Sequence, residues 1–308
     1  MAWTSPDFKP GAALESQFEK DGFVKLEGFL ADRALQVLRE RAEAELSTST
    51  PTFTEEFSRL KYDFNLPRED IFSLIGDRSF RHVLCGLAGR SLFFTFEICF
   101  ELERNVSKGF PWHVGVQSFG YQNARDYGCS MWIPLQSIEP SGQGGGLACV
   151  PRSVVSGEFL YEFVEPAIVS TLERKSAAGD TVTLDDYANL RTGILNSPAM
   201  NEILTQHAVE YALSPGDVLL FDKYVIHRSV PLGDGPLDRR IAYVLRFIDV
   251  ESRYDRRRAL NLEYPTRELG GSPLTSSHLL IGNEDGEPIA GSSFFDRHDL
   301  RTLRLPRA

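Results

Sequence analysis

Two of the chain's six histidines, His113 and His227, stand in surroundings suited to a metal ion. His113 follows Phe110-Pro111-Trp112 and is followed by Val114-Gly115. His227 ends an apolar stretch that runs from Val218 through Tyr224-Val225-Ile226. Neutral imidazoles suit Fe(II) and similar divalent ions, and a carboxylate beside two histidines completes a three-ligand facial site with open positions. Gly115, two positions beyond His113, has no side chain to coordinate with. A lone histidine beside apolar residues is more often packed than ligating, and His82, His207, His278 and His298 keep that plainer reading. Neighbours set His113 and His227 apart from them.

Arg240 lies thirteen positions beyond His227. A guanidinium presents a planar fork that holds a carboxylate through two hydrogen bonds. Arg239 competes for this role, but adjacent residues on a strand face opposite ways, so one of the two enters a pocket. A solvated basic turn after Asp234-Gly235-Pro236 would account for both. Arg246 follows Arg240 by six positions and shares its face at period two. A salt bridge to Asp249 or Glu251 is its plainer reading. Ser130 and Trp132 likewise share one face of a strand, with core packing an adequate account of the tryptophan.

These residues need a β scaffold, and the pattern supplies one. A helix is expected near Leu14 to Lys20, a strand over Phe23 to Leu26, a helix capped by Asp32, and another over Arg78 to Ala88. Ser47 to Asp70 reads as a loop or lid. Aromatic and β-branched residues then favour strands over Leu92 to Glu103, Cys129 to Ile138, Gly146 to Val150, Val209 to Leu213, Val218 to Phe221 and Ile241 to Ile248. His113 is expected to open a strand-like segment. Turn signals separate the strands, with Gly144-Gly145-Gly146 in one of them; that run lacks the pattern of a phosphate loop. Strands in series with helices gathered early predict a jelly roll in one domain over 1–308. The polar, partly helical span 158–206 is expected to cover the barrel mouth as a lid, with Tyr62 and Phe64 also closing over substrate.

Composition narrows the function classes. A formal net charge of -10 from 33 Lys plus Arg against 43 Asp plus Glu disfavours a general nucleic-acid binder. Cys85, Cys99, Cys129 and Cys149 form no zinc or redox spacing and are expected to be buried free thiols in a reducing cytoplasm. Charges interrupt every hydrophobic stretch and the first ten residues lack a signal-peptide pattern, so neither a membrane span nor export is expected.

Seven blocks in order resemble the phytanoyl-CoA dioxygenase family of Fe(II)/2-oxoglutarate enzymes. After Asp21-Gly22-Phe23-Val24 come Pro111-Trp112-His113, Met131-Trp132-Ile133-Pro134-Leu135, and Gly145-Gly146-Leu147-Ala148-Cys149-Val150-Pro151-Arg152-Ser153. Pro215-Gly216-Asp217-Val218-Leu219-Leu220-Phe221, His227-Arg228-Ser229 and Arg239-Arg240-Ile241-Ala242 complete the series. The resemblance spans about Asp21 to Asp249 and implies a mainly β, double-stranded β-helix (cupin-like) core with flanking N-terminal helices. It implies His113 and His227 as iron ligands, Arg240 as the anchor of 2-oxoglutarate, Trp132 on the cosubstrate face, and O2 as cosubstrate.

Gly115 departs from the family pattern, and three outcomes are compatible with it. Chloride can take the empty position, as in the halogenase-type branch that has Gly or Ala there; a substrate radical then receives chlorine instead of hydroxyl. Arg246 and Ser130 would support the halide. Water, or a carboxylate such as Asp126 or Asp222, can take it instead and leave a hydroxylase. A barrel that binds ligand without chemistry is the third outcome. Resemblance to the halogenases implies a natural-product intermediate, tethered to an acyl carrier protein, as substrate, with Arg253, Arg256, Arg257 and Arg258 as a docking patch. A free small metabolite is the alternative.

Overall fold

Alternation along the long strands gives one sheet two apolar faces, and each face buries a different cluster. The computed structural model describes residues 2–49, 55–62, 64–271, 283–295 and 299–305. Its strands are β1 (Phe23–Leu26), β2 (Arg59–Tyr62), β3 (Leu92–Glu103), β4 (Gly128–Pro134), β5 (Leu147–Val150), β6 (Val209–Glu210), β7 (Val218–Asp222), β8 (Ile226–Ser229), β9 (Arg239–Asp249) and β10 (Thr302–Leu303). The larger sheet runs β1-β7-β4-β9-β3-β10, with β2 also on β3, and every pairing is antiparallel. A smaller sheet runs β6-β5-β8. Together they form the double-stranded β-helix that the family resemblance implies.

Helices α1 (Ala12–Asp21), α2 (Asp32–Ser47), α3 (Glu69–Gly76) and α4 (Arg78–Ala88) precede most of the sheet. In α2 the buried positions Leu35, Leu38, Ala42 and Leu46 recur at helical spacing and pack with Met131, Tyr243, Leu245 and Phe247 from one face of the sheet. The opposite face contributes Trp132, Leu219, Phe221, Ala242 and Val244 to a second cluster, which the smaller sheet closes with Leu147 to Val150 and Ile226. The candidate residues Ser130, Trp132, Arg240 and Arg246 lie on this inner side.

Several boundaries differ from expectation for physical reasons. Asp32 is the first helical residue, and Ala31 holds the cap position without a side-chain bond. The segment Ser47 to Asp70 contains β2, whose four residues gain order by pairing with β3 from Glu101 to Ile98, and α3 follows from Glu69. His113 opens no strand: it makes a single bridge, after which Gly115 starts the short helical turn α5 (Val116–Phe119). The span 158–206 holds a π-helical turn (Leu160–Val164) and helices α6 (Glu165–Ala177), α7 (Leu184–Thr192) and α8 (Pro198–His207). Helix α9 (Arg256–Glu268) follows the last long strand. The four cysteines are free and buried. His278 and His298 lie outside the described residues. Among the described residues, no helix is long and apolar enough to cross a membrane.

Candidate metal and cosubstrate site

His113 and His227 meet across the edge of the smaller sheet. Their backbones exchange two hydrogen bonds, each amide donating to the other's carbonyl at 2.9 Å. This pairing brings the imidazole centroids to 4.2 Å. The two rings are also fixed in the same sense. Nδ1 of His113 lies 2.7 Å from the Pro111 carbonyl, and Nδ1 of His227 lies 2.9 Å from that of Val225. A carbonyl only accepts, so each Nδ1 carries the proton and each Nε2 keeps its lone pair for a metal. Burial pushes His113 down to about 4. Burial, together with His113, holds His227 well below the ordinary histidine value. Both rings are therefore neutral at neutral pH, the form that coordinates.

The approach to His113 is pinned by the helical span. Asn196 accepts from the Trp112 amide at 3.1 Å and donates to its carbonyl at 2.9 Å, while Asn201 accepts from the indole at 2.8 Å. Sequence reasoning missed both asparagines, which stand more than 80 residues away (84 and 89 positions). Nothing local in their surroundings marks them.

Arg240 is fully buried on the inner face of β9, and none of its guanidinium nitrogens has a hydrogen-bond partner among the described residues. Its guanidinium carbon sits 5.3 Å from the ring centroids of both Phe100 and Trp132. Burial alone lowers its pKa to about 9. A buried cation without acceptors carries a large desolvation cost, so this position is built for an anionic ligand. The indole nitrogen of Trp132 is likewise buried and unpartnered. Arg239 faces the other way and pairs with Glu43 at 2.7 Å and Glu101 at 3.0 Å. Tertiary structure thus separates the two adjacent arginines. Gly145 stands beside this anchor with φ +82°, and a Cβ there would come within 2.9 Å of Leu232 and 3.7 Å of Arg240 Nε.

A cavity is lined by His113, His227, Trp132, Ser229, Arg246 and Tyr62, among others; Arg240 does not line it but lies against two residues that do, Trp132 and Phe100. A second reaches under the helical span to Glu165, Arg191 and Thr192. His113 and Gln117 line both. Gln117 was not anticipated; its place two residues past Gly115 is its only sequence signal.

Arg246 does not pair with Asp249 or Glu251. Its Nη1 donates to Ser130, opposite it in register on β4, while its Nε has no partner. Asp249 binds Arg90 instead. Phe64 packs on the outer side against Tyr243, so it does not close over the cavity as expected. Asp222 binds Arg152 at 2.6 Å and Asp126 accepts from the Arg253 amide at 2.7 Å, which removes both as third ligands. Among the described residues, no group of three His, Cys, Asp or Glu side chains could hold a metal. Gly115 itself borders a crowded region. A Cβ there would stand 2.9 Å from the Phe119 ring and 3.5 Å from the Tyr161 hydroxyl. Arg258 is buried and donates to the Tyr161 carbonyl, so it leaves the proposed surface patch, whereas Arg253, Arg256 and Arg257 are exposed.

No family model and no curated protein matches this chain. Solved structures do resemble it in fold. The non-heme alpha ketoglutarate dependent carbocyclase SnoK from nogalamycin biosynthesis is 13% identical, with a TM-score of 0.63 over 94% of this chain and 97% of that one. The epimerase SnoN, solved with Fe3+, alpha ketoglutarate and nogalamycin RO, is 16% identical, with a TM-score of 0.60 over 91% and 95%. EctD from S. alaskensis with bound Fe is 17% identical, with a TM-score of 0.54 over 82% and 81%.

Proposed function

We propose that this protein is a non-heme Fe(II)/2-oxoglutarate-dependent oxidoreductase acting on a small natural-product intermediate. One observation carries the reading: a pair of imidazoles with free Nε2 atoms shares a chamber wall with Trp132, which stacks on a buried guanidinium lacking any acceptor. The donor set fits the group, since imidazole nitrogens suit ferrous iron and a guanidinium fork suits a carboxylate. His113 and His227 would hold the iron, and Arg240, with the Trp132 indole N–H, would hold the distal carboxylate of 2-oxoglutarate. When bound, the iron and its cosubstrate supply activation of O2 with decarboxylation to succinate and CO2. The chain's own part is to keep both imidazoles neutral, to orient the dicarboxylate, and to exclude water with Phe57, Phe100, Phe110 and Phe221.

Within this class, chlorination is the favoured outcome, because no carboxylate among the described residues completes the histidine pair. The balanced reaction consumes substrate C–H, chloride, a proton, O2 and 2-oxoglutarate, and yields C–Cl, succinate, CO2 and water. Hydroxylation, with water at the third position, is the second reading. Carrier tethering is supported only by the exposed Arg253, Arg256 and Arg257, and a free metabolite fits the same chamber. The test is mass spectrometry of anaerobically reconstituted protein exposed to O2 with chloride and a panel of free and carrier-bound substrates. A product with the two-isotope chlorine pattern supports chlorination; chloride-independent gain of one oxygen replaces it with hydroxylation. Absence of iron-dependent succinate would leave only a binding barrel. Gly115→Asp is expected to abolish chlorination, and because the new Cβ meets Phe119, hydroxylation is expected only when Phe119→Leu accompanies it.

A further inference from the structure

Beside Gly115 stands a hydroxyl that none of the described residues bonds. Tyr161 is fully buried, and its Oη has no hydrogen-bond partner among the described residues. It lies 3.5 Å from the point where the first side-chain carbon of residue 115 would be. A buried hydroxyl is ordinarily satisfied, so one left without a partner beside Gly115 points to a group that the described residues do not supply.

The ring is held firmly enough for that hydroxyl to have a fixed aim. It sits in the π-helical turn Leu160–Val164, an irregularity often found at functional sites. Arg258 Nη1 donates to the Tyr161 carbonyl at 2.7 Å, and the same guanidinium lies 5.5 Å from the ring centroid. The Lys223 amine lies 4.8 Å from that centroid, and the Tyr224 ring meets it edge-on at 5.4 Å. Burial holds the Tyr161 phenol well above its ordinary pKa, so the hydroxyl keeps its proton and can only be used as a neutral donor or acceptor.

The remaining neighbours favour negative charge. The edge of Phe119 faces the same point at 2.9 to 3.0 Å, and an aromatic edge carries partial positive charge. Behind that ring, 5.7 Å from its centroid, lies the Arg246 guanidinium with its Nε unpartnered. The chamber under the helical span is lined by the chain neighbours of these residues, Val114 and Val116 on either side of Gly115 and Leu160 before Tyr161.

We propose that Tyr161 donates its hydroxyl to a small monoanion, chloride, at the coordination position Gly115 leaves open, and so selects halide over water there. This rests on the iron-site reading above and adds to it a residue supplied by the helical span rather than by the barrel. Tyr161→Phe tests it, because the ring stays and only the hydroxyl goes. Cobalt(II) protein loaded with 2-oxoglutarate is titrated with chloride and followed by its visible spectrum. Wild type is expected to show a saturable chloride response, and Tyr161→Phe to need roughly tenfold more chloride, as losing a hydrogen bond to a charged group implies. Cobalt and 2-oxoglutarate affinities should stay unchanged. The variant's melting temperature should not fall, since an unpartnered hydroxyl is removed; a merely structural tyrosine would show the reverse pattern. Equal chloride affinity in the two proteins, or no chloride response in wild type, overturns this role while leaving the histidine site standing. Failure of wild type to bind cobalt(II) overturns both.

Discussion

Two arginines are buried against opposite faces of the same sheet, and they are treated in opposite ways. On the outer face Arg41 reaches from α2 to Glu97, with Nη2 at 2.9 and 3.0 Å from its two oxygens, and to the Tyr243 hydroxyl at 3.2 Å. Its Nη1 donates to the Pro67 carbonyl at 2.5 Å. On the inner face Arg240 has two aromatic rings and no acceptor. A paired buried charge joins helix to sheet; an unpaired one is a place kept for a ligand. The same strand, β9, carries Tyr243 outward and Arg240 inward, and strand alternation keeps the two environments separate.

The contrast can be broken in order of effect. His227→Ala should abolish iron binding, read by metal content after anaerobic reconstitution, while circular dichroism stays native. Arg41→Ala should cost about 3–5 kcal/mol of stability by stranding Glu97, with 2-oxoglutarate affinity preserved in the folded fraction. Arg240→Ala should do the reverse, weakening 2-oxoglutarate binding roughly a hundredfold while urea unfolding moves little or toward higher midpoint. If Arg240→Ala unfolded the protein instead, the reserved-site argument would fail. Arg239→Ala, which removes a partly exposed pair, should change stability by under about 1 kcal/mol and leave the cosubstrate alone.

A pH series sharpens the same comparison. His113 is held at about 4 by burial, against an ordinary 6.5. Between those values the unfolded chain binds a proton that the folded chain lacks, so the stability of metal-free protein should rise with pH from roughly 4 to 6.5. Asp222, raised by burial from 3.8 to about 6, opposes this over its own window, because there the folded form binds more protons. His113→Asn should reduce the rising component of melting temperatures measured between pH 4 and 7, leaving the share of His227, which burial also holds below its ordinary value. An unchanged slope would show that the imidazole is not kept neutral.

Elements with long, strongly patterned runs were legible in the sequence. Leu92 to Glu103 and Arg78 to Ala88 match the observed strand and helix at both ends. Among short elements the outcome was mixed: Phe23 to Leu26 matches its strand and Val218 to Phe221 falls one residue short of its own, whereas β2 and the turn after Gly115 were not read. Residues 59–62 form a strand only because β3 offers an edge, and the turn after Gly115 depends on Phe119, for which Gly115 and Gly128 both make room. Of the candidate site, His113, His227 and Arg240 were legible as residue types in order, and the fold brings the two histidines together and buries the arginine. Gln117 had only its place two residues past Gly115 as a signal, and Tyr161, Asn196 and Asn201 had none, because their contacts are made across the fold.

Sequence by itself determined a β scaffold, two histidines without an acid partner, and an arginine at strand spacing, because composition and periodicity are properties of the chain. Only the tertiary structure decided which of two adjacent arginines is buried, that Asp126 and Asp222 are committed elsewhere, and that a phenol from a distant turn faces Gly115. Those outcomes depend on which groups remain unsatisfied once the chain is packed, and a hydrogen-bond vacancy exists only in three dimensions.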